Sequence, residues 1–115
     1  MGAPNAEVTP YRITLISVAC HCAFLLTTLS RAKVSSDAEL NSLYQDVRKR
    51  LDEHDANRLI ATEKLWIQYR DANCEAERAL YGLGTGAGPA YLACLEAMTR
   101  ERTKELRITY TVTLK

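Results

Sequence analysis

The sequence predicts an all-α fold, a small three-helix domain whose second and third helices form an antiparallel hairpin. Three observations predict it. Apolar residues recur at helical spacing from Leu40 to Leu51. Two further helical patterns, over residues 55–81 and 89–110, flank a glycine-rich turn. Each of those patterns presents one cysteine, Cys74 and Cys94. If the two are bonded, the hairpin is disulfide-stapled and suited to an oxidising compartment.

The first 32 residues differ from the rest. Residues 13–30 contain no Asp, Glu, Lys or Arg. Three readings compete: a secretory leader with Arg12 as its positive flank and Ser30-Arg31-Ala32 as a small-x-small cleavage site, an uncleaved membrane anchor near the lower length limit for spanning, or a buried helix of the fold. The leader is the preferred reading, so residues 1–32 are assigned as an apolar leader and 33–115 as the helical domain. The polar lead MGAPNAEVTP is untypical of a leader and keeps the third reading open. Ser17-Val18-Ala19-Cys20 has the small residue that a lipoprotein signal places before its cysteine, but lacks the expected leucine. Membrane association therefore requires an uncleaved leader or a lipidated Cys20. Removing residues 1–32 leaves Cys74 and Cys94 as the only cysteines. An even pair in an exported chain predicts a disulfide.

The first helix is expected from Ser36 or Asp37, with Ser36 as N-cap and Glu39 completing a capping box. Leu40, Leu43, Tyr44, Val47 and Leu51 then form an amphipathic stripe. Asp52-Glu53-His54-Asp55 reads as a turn. The second helix carries Leu59, Thr62 or Glu63, Trp66, Tyr69 or Arg70, Cys74, Glu77 and Tyr81 along one face. That stripe is polar for an inward face, and Arg70 with Glu77 is expected either to close an ion pair or to line a binding surface. The run Gly82 to Gly88 holds four glycines in seven residues and cannot continue a helix. Pro89 suits the first turn of the third helix, where its missing N–H costs nothing. Tyr91, Leu92, Leu95, Met98, Arg102, Leu106 and Tyr110 then face inward, and the TVTLK tail is expected to fray.

A bond between positions 74 and 94 fixes an antiparallel register centred on the glycine turn. In that register Trp66 faces Arg102, Tyr69 faces Thr99 and Arg70 faces Met98. Arg102 over the Trp66 indole would be a cation–π contact.

Composition excludes several functions. Of the 115 residues, 15 are basic and 14 acidic, with no long basic run, so a nucleic-acid stripe is absent. Cys20-His21-Cys22 offers soft ligands but no second cluster to complete a metal site, and no metal or other cofactor is expected. Gly84-x-Gly86-x-Gly88 follows a helix rather than a strand and lacks the P-loop lysine, so loop chemistry explains it. No carboxylate pair or histidine-nucleophile arrangement is evident, which argues against an enzyme. Two features remain as partner-binding candidates: the acidic turn of Asp52, Glu53 and Asp55, and the glycine turn with Gly84, Thr85 and Gly86.

The hairpin resembles the lysozyme-inhibitor LprI-like N-terminal domain family of small exported bacterial proteins. The pattern W-x-x-Y-R-D-x-x-C-x-x-E, a glycine-containing turn, Y-x-x-C and T-x-x-R is present as Trp66, Tyr69, Arg70, Asp71, Cys74, Glu77, the Gly82–Gly88 turn, Tyr91, Cys94, Thr99 and Arg102. The segment Asp37 to Gln45 is similar to the family's first helix. The resemblance implies an all-helical domain, export to the periplasm or cell envelope and a helix-to-helix disulfide between Cys74 and Cys94. For part of the family it implies inhibition of lysozyme. Many members carry another cysteine-bearing segment before the first helix. The stretch holding Cys20 and Cys22 does not match it, so a second disulfide is not implied. The functional expectation is an exported protein-binding domain that inhibits lysozyme. The alternative is an accessory envelope domain with no enzyme target.

Overall fold

A computed structural model of the chain describes the backbone from residue 15 and side chains from Phe24 onward. Residues 1–14, and the side chains of Cys20, His21 and Cys22, lie outside the described residues. Three helices follow in order: α1 (Leu15–Arg50), α2 (Glu53–Ala79) and α3 (Ala87–Thr109).

α1 does not start at Ser36. It runs unbroken for 36 residues, about 54 Å at the usual helical rise. Ser36 is buried inside it, donating to the Ala32 carbonyl at 2.9 Å and reaching Glu96 at 3.3 Å. The local capping signal lost because the preceding residues continue the helix, and the serine hydroxyl is satisfied one turn back. Arg48, Lys49 and Arg50 close the helix, where cations favour the carbonyl end. Among the described residues no helix is long and apolar enough to cross a membrane.

Asp52 ends the two-residue connection and caps α2, its carboxylate accepting the Asp55 N–H at 2.8 Å. Glu53 and Asp55 occupy the first turn of α2, where negative charge suits the helix dipole. α2 therefore begins two residues before the expected Asp55. Asp52→Ala is expected to cost about 1 kcal/mol of stability, read as a lower urea midpoint.

The glycine turn reverses the chain. Gly82 adopts φ +56°, the left-handed conformation that ends helices and that L side chains resist. At Gly86 a Cβ would sit 3.0 Å from the Tyr81 ring, tighter than ordinary van der Waals contact. Pro89 lies buried in the first turn of α3, as its chemistry predicts.

α3 is the central element. It packs along α1 and against α2, while α1 and α2 scarcely meet. α1 and α3 run parallel, as Ser36 beside Glu96 and Arg107 paired with Glu39 at 2.9 Å show. The core has two apolar clusters. Leu40, Val47, Leu59 and Leu106 form one, flanked by Leu43, Tyr44, Leu51 and Trp66. Cys74, Cys94 and Leu95 form the other, with Tyr91 and Met98 against it. The C-terminal tail does not fray: Leu114 and Tyr110 pack onto the first cluster, and Arg50 donates to the Leu114 carbonyl at 3.0 Å. Long-range contacts hold what β-branched propensity alone would release.

Candidate functional site

A polar layer separates the two apolar clusters, and it gathers five of the ten named residues of the family pattern. Along α3, Cys94 and Leu95 give way to buried Thr99, Arg102 and Thr103 before Leu106. α2 lays Glu63, Trp66 and Arg70 along this stretch over about two turns, because their spacing of three and four residues puts them on one helical face.

Glu63 and Arg102 form the centre of this layer. Glu63 Oε2 accepts from Arg102 Nη2 at 3.0 Å and from Nε at 3.2 Å, with both side chains nearly excluded from water. Arg102 also donates to Glu105 at 2.8 Å. Burial opposes the Arg102 charge, but the hydrogen bonds to Glu105 and Glu63 outweigh it and raise its pKa above the ordinary guanidinium value. The sequence did not pair these residues. The available signal was a carboxylate at helical spacing on an inward stripe, with an arginine near the facing register position.

Trp66 carries two guanidinium groups. Arg70 lies 5.2 Å and Arg102 5.8 Å from its ring centroid. The Trp66–Arg102 contact is the one the register predicts. The two neighbouring facings differ. Arg70, not Tyr69, reaches Thr99, donating to its hydroxyl at 3.2 Å, and Tyr69 is exposed. Met98 instead contacts Asn73, whose side-chain nitrogen lies 3.4 Å from its sulfur. The Arg70–Glu77 pair is also replaced. Arg70 binds Asp71 at 2.8 Å and lies 3.6 Å from Asp37 of α1, while Glu77 is exposed with no ion-pair partner among the described residues. Seven residues are nearly two helical turns, about 10 Å along the axis, so the pair was too far apart once closer carboxylates competed.

The Cys74–Cys94 disulfide links α2 to α3 across a Cα–Cα distance of 5.5 Å. Met98 Sδ lies 3.7 Å from Cys74 Sγ and 3.9 Å from Cys94 Sγ. Tyr91 packs beside the bridge, with Arg78 5.8 Å from its ring centroid. Thus Trp66, Arg70, Asp71, Thr99 and Arg102 meet at one level, and Cys74, Tyr91 and Cys94 at the next. Tyr69 and Glu77 stand outside both.

The two partner-binding candidates lie at opposite ends. Asp52, Glu53 and Asp55 follow Arg48, Lys49 and Arg50 with only Leu51 between, and Asp55 lies 3.8 Å from Arg58. Cations nearby offset the acidic charge. At the other end Leu80 and Leu83 project into solvent, Leu83 fully so, with Tyr81 half exposed. Gly84, Thr85 and Gly86 complete this tip. Leu26 of α1 approaches Gly88 at 3.3 Å from its Cβ position, so exposed Phe24 and Leu25 belong to the same end.

Because α1 and α2 scarcely meet, a groove of about 340 Å³ opens between them. Leu40, Tyr44, Ile60, Trp66 and Ile67 form its apolar wall. Asp37, Asn41, Glu63, Lys64 and Arg70 supply its polar groups. Periodicity places each residue on its own helix but does not reveal a gap between two helices held apart by a third.

No curated protein and no solved structure matches the chain. The family model described as lysozyme inhibitor LprI matches residues 24–106, and with most of its length covered and the disulfide hairpin in place, the chain belongs to that family.

Proposed function

We propose that the protein is an exported, non-catalytic inhibitor of lysozyme that presents its glycine turn to the enzyme's cleft. Family membership suggests the target class, and the observation that carries the mode is the projecting apolar tip of Leu80, Tyr81 and Leu83. A fully exposed leucine on a turn of this kind gains nothing from the monomer, but a concave partner would desolvate it. The turn is braced by the Gly82 conformation and by Tyr81 packed on Gly86, so little ordering entropy is lost on insertion. The acidic turn is the weaker candidate. Asp52 is occupied as a cap, and the basic end of α1 offsets the field that would steer a cationic enzyme.

The disulfide supports an oxidising compartment, the periplasm or cell envelope. Cleavage of a leader after Ala32 would leave every buried apolar residue of both clusters in place, since all lie beyond that point.

The test is lysozyme turnover in the presence of oxidised, full-chain protein. Inhibition is expected, weakened at least tenfold by Leu83→Asp, since a charge desolvated at the interface in place of an apolar side chain costs more than 1.4 kcal/mol. Asp55→Asn is expected to leave inhibition within twofold. Full lysozyme activity at large molar excess of the protein removes the proposal.

A further inference from the structure

We propose that the groove between α1 and α2 is a binding site for a neutral saccharide. The inference does not depend on lysozyme being the target. The groove's volume of about 340 Å³ falls in the range of small-molecule sites, about 300–1,000 Å³. Three features select the ligand.

The first is charge. Asp37 and Glu63 are matched by Lys64 and Arg70, so the lining is balanced. Asp37 and Arg70 are moreover turned toward each other at 3.6 Å, and Glu63 is held by Arg102. A cationic ligand would enter without an uncommitted counter-charge and lose its hydration, and an anionic one would meet only the exposed Lys64 ammonium, whose attraction water screens. A neutral ligand avoids that cost.

The second is unused hydrogen-bonding capacity. The Tyr44 hydroxyl, the Asn41 amide, the Lys64 ammonium and the Trp66 indole N–H have no partner among the described residues, and Glu63 receives both Arg102 bonds on Oε2, leaving Oε1 open. Donors and acceptors of both kinds therefore converge on one small space. An apolar peptide side chain would cover them without replacing their water, at a cost for each group left unpaired.

The third is the wall. Tyr44 presents aromatic surface with Leu40, Ile60 and Ile67 beside it, and Trp66 lines the same wall with Arg70 and Arg102 over its ring. A pyranose ring has apolar C–H faces and a rim of hydroxyls. It satisfies aromatic wall and polar rim together, which neither an ion nor a hydrocarbon does.

Trp66 is the only tryptophan in the chain, so its emission reports directly on the groove. The experiment titrates the full-length oxidised protein with tri-N-acetylchitotriose and with cellotriose, followed by tryptophan fluorescence and repeated by calorimetry. A saturable change at millimolar sugar or below is expected with at least one of them. Tyr44→Phe and Asn41→Ala each remove one hydrogen-bonding group while keeping the helix, and each is expected to weaken binding about 2- to 10-fold with the melting temperature unchanged within error. No saturable response to either sugar overturns the proposal. A response equally strong in both variants also overturns it, by placing the sugar elsewhere. Saturation by an apolar dipeptide amide, with the sugars silent, reassigns the groove to a protein partner.

Discussion

Arg102→Ala is expected to destabilise the protein by about 3–5 kcal/mol, the cost of leaving a buried carboxylate without its partner. Glu63 is buried, and both of its hydrogen bonds from across the helix interface come from Arg102. A small domain has on the order of 5–15 kcal/mol in total, so the single change approaches the whole margin. The measurement is urea unfolding followed by circular dichroism. Glu63→Leu combined with Arg102→Leu removes both charges and is expected to recover most of the loss, because neither ion then has to be desolvated alone. Equal destabilisation in the single and double variants would show that packing of the arginine stem, not charge, holds the layer. Arg102→Lys is expected to fall in between: an ammonium can meet Glu63 but cannot make the two-pronged contact or span to Glu105 as well.

Opening the Cys74–Cys94 bridge is the second large effect, expected to cost roughly 3 kcal/mol from the released entropy of a loop of 20 residues. Its consequences should be uneven. α2 buries only Leu59, Glu63 and Cys74 fully, and beyond Cys74 its residues are exposed. The bridge is therefore the last buried attachment of α2 before the glycine turn. In a Cys74→Ser, Cys94→Ser variant, amide exchange is expected to accelerate most in residues 70–86 and least in the α1–α3 contact around Val47 and Leu106. A thiol reductant should produce the same pattern in the wild-type protein and no further change in the variant. Uniform acceleration along all three helices would mean that α2 docking and global folding are one step.

These two predictions bear differently on the proposed activity. The tip that carries Leu83 is anchored through the disulfide on one side and Pro89 on the other. Reduction should therefore weaken lysozyme inhibition before it unfolds the protein. Arg102 substitutions act on the middle of the hairpin and should lower inhibition only as far as they lower the folded fraction.

The three helices, their polar and apolar faces, the glycine reversal and the family pattern were legible along the chain. They rest on local properties: 3.6-residue periodicity, the conformational freedom of glycine and the fixed φ of proline. The Trp66–Arg102 facing was legible too, because two cysteines fix a register when the turn lies midway between them. Tertiary structure decided the rest. Ser36 signals a helix start locally, yet α1 continues through it because residues on both sides sustain the helix. Arg70 had several carboxylates within side-chain reach, and only the packing of α1 against α3 brought Asp37 near and left Glu77 in solvent. The polar Glu63–Arg102 layer and the α1–α2 groove arise where three helices meet or fail to meet. Pairwise register cannot encode such places, because α3 wedges between its neighbours and sets the distance between them.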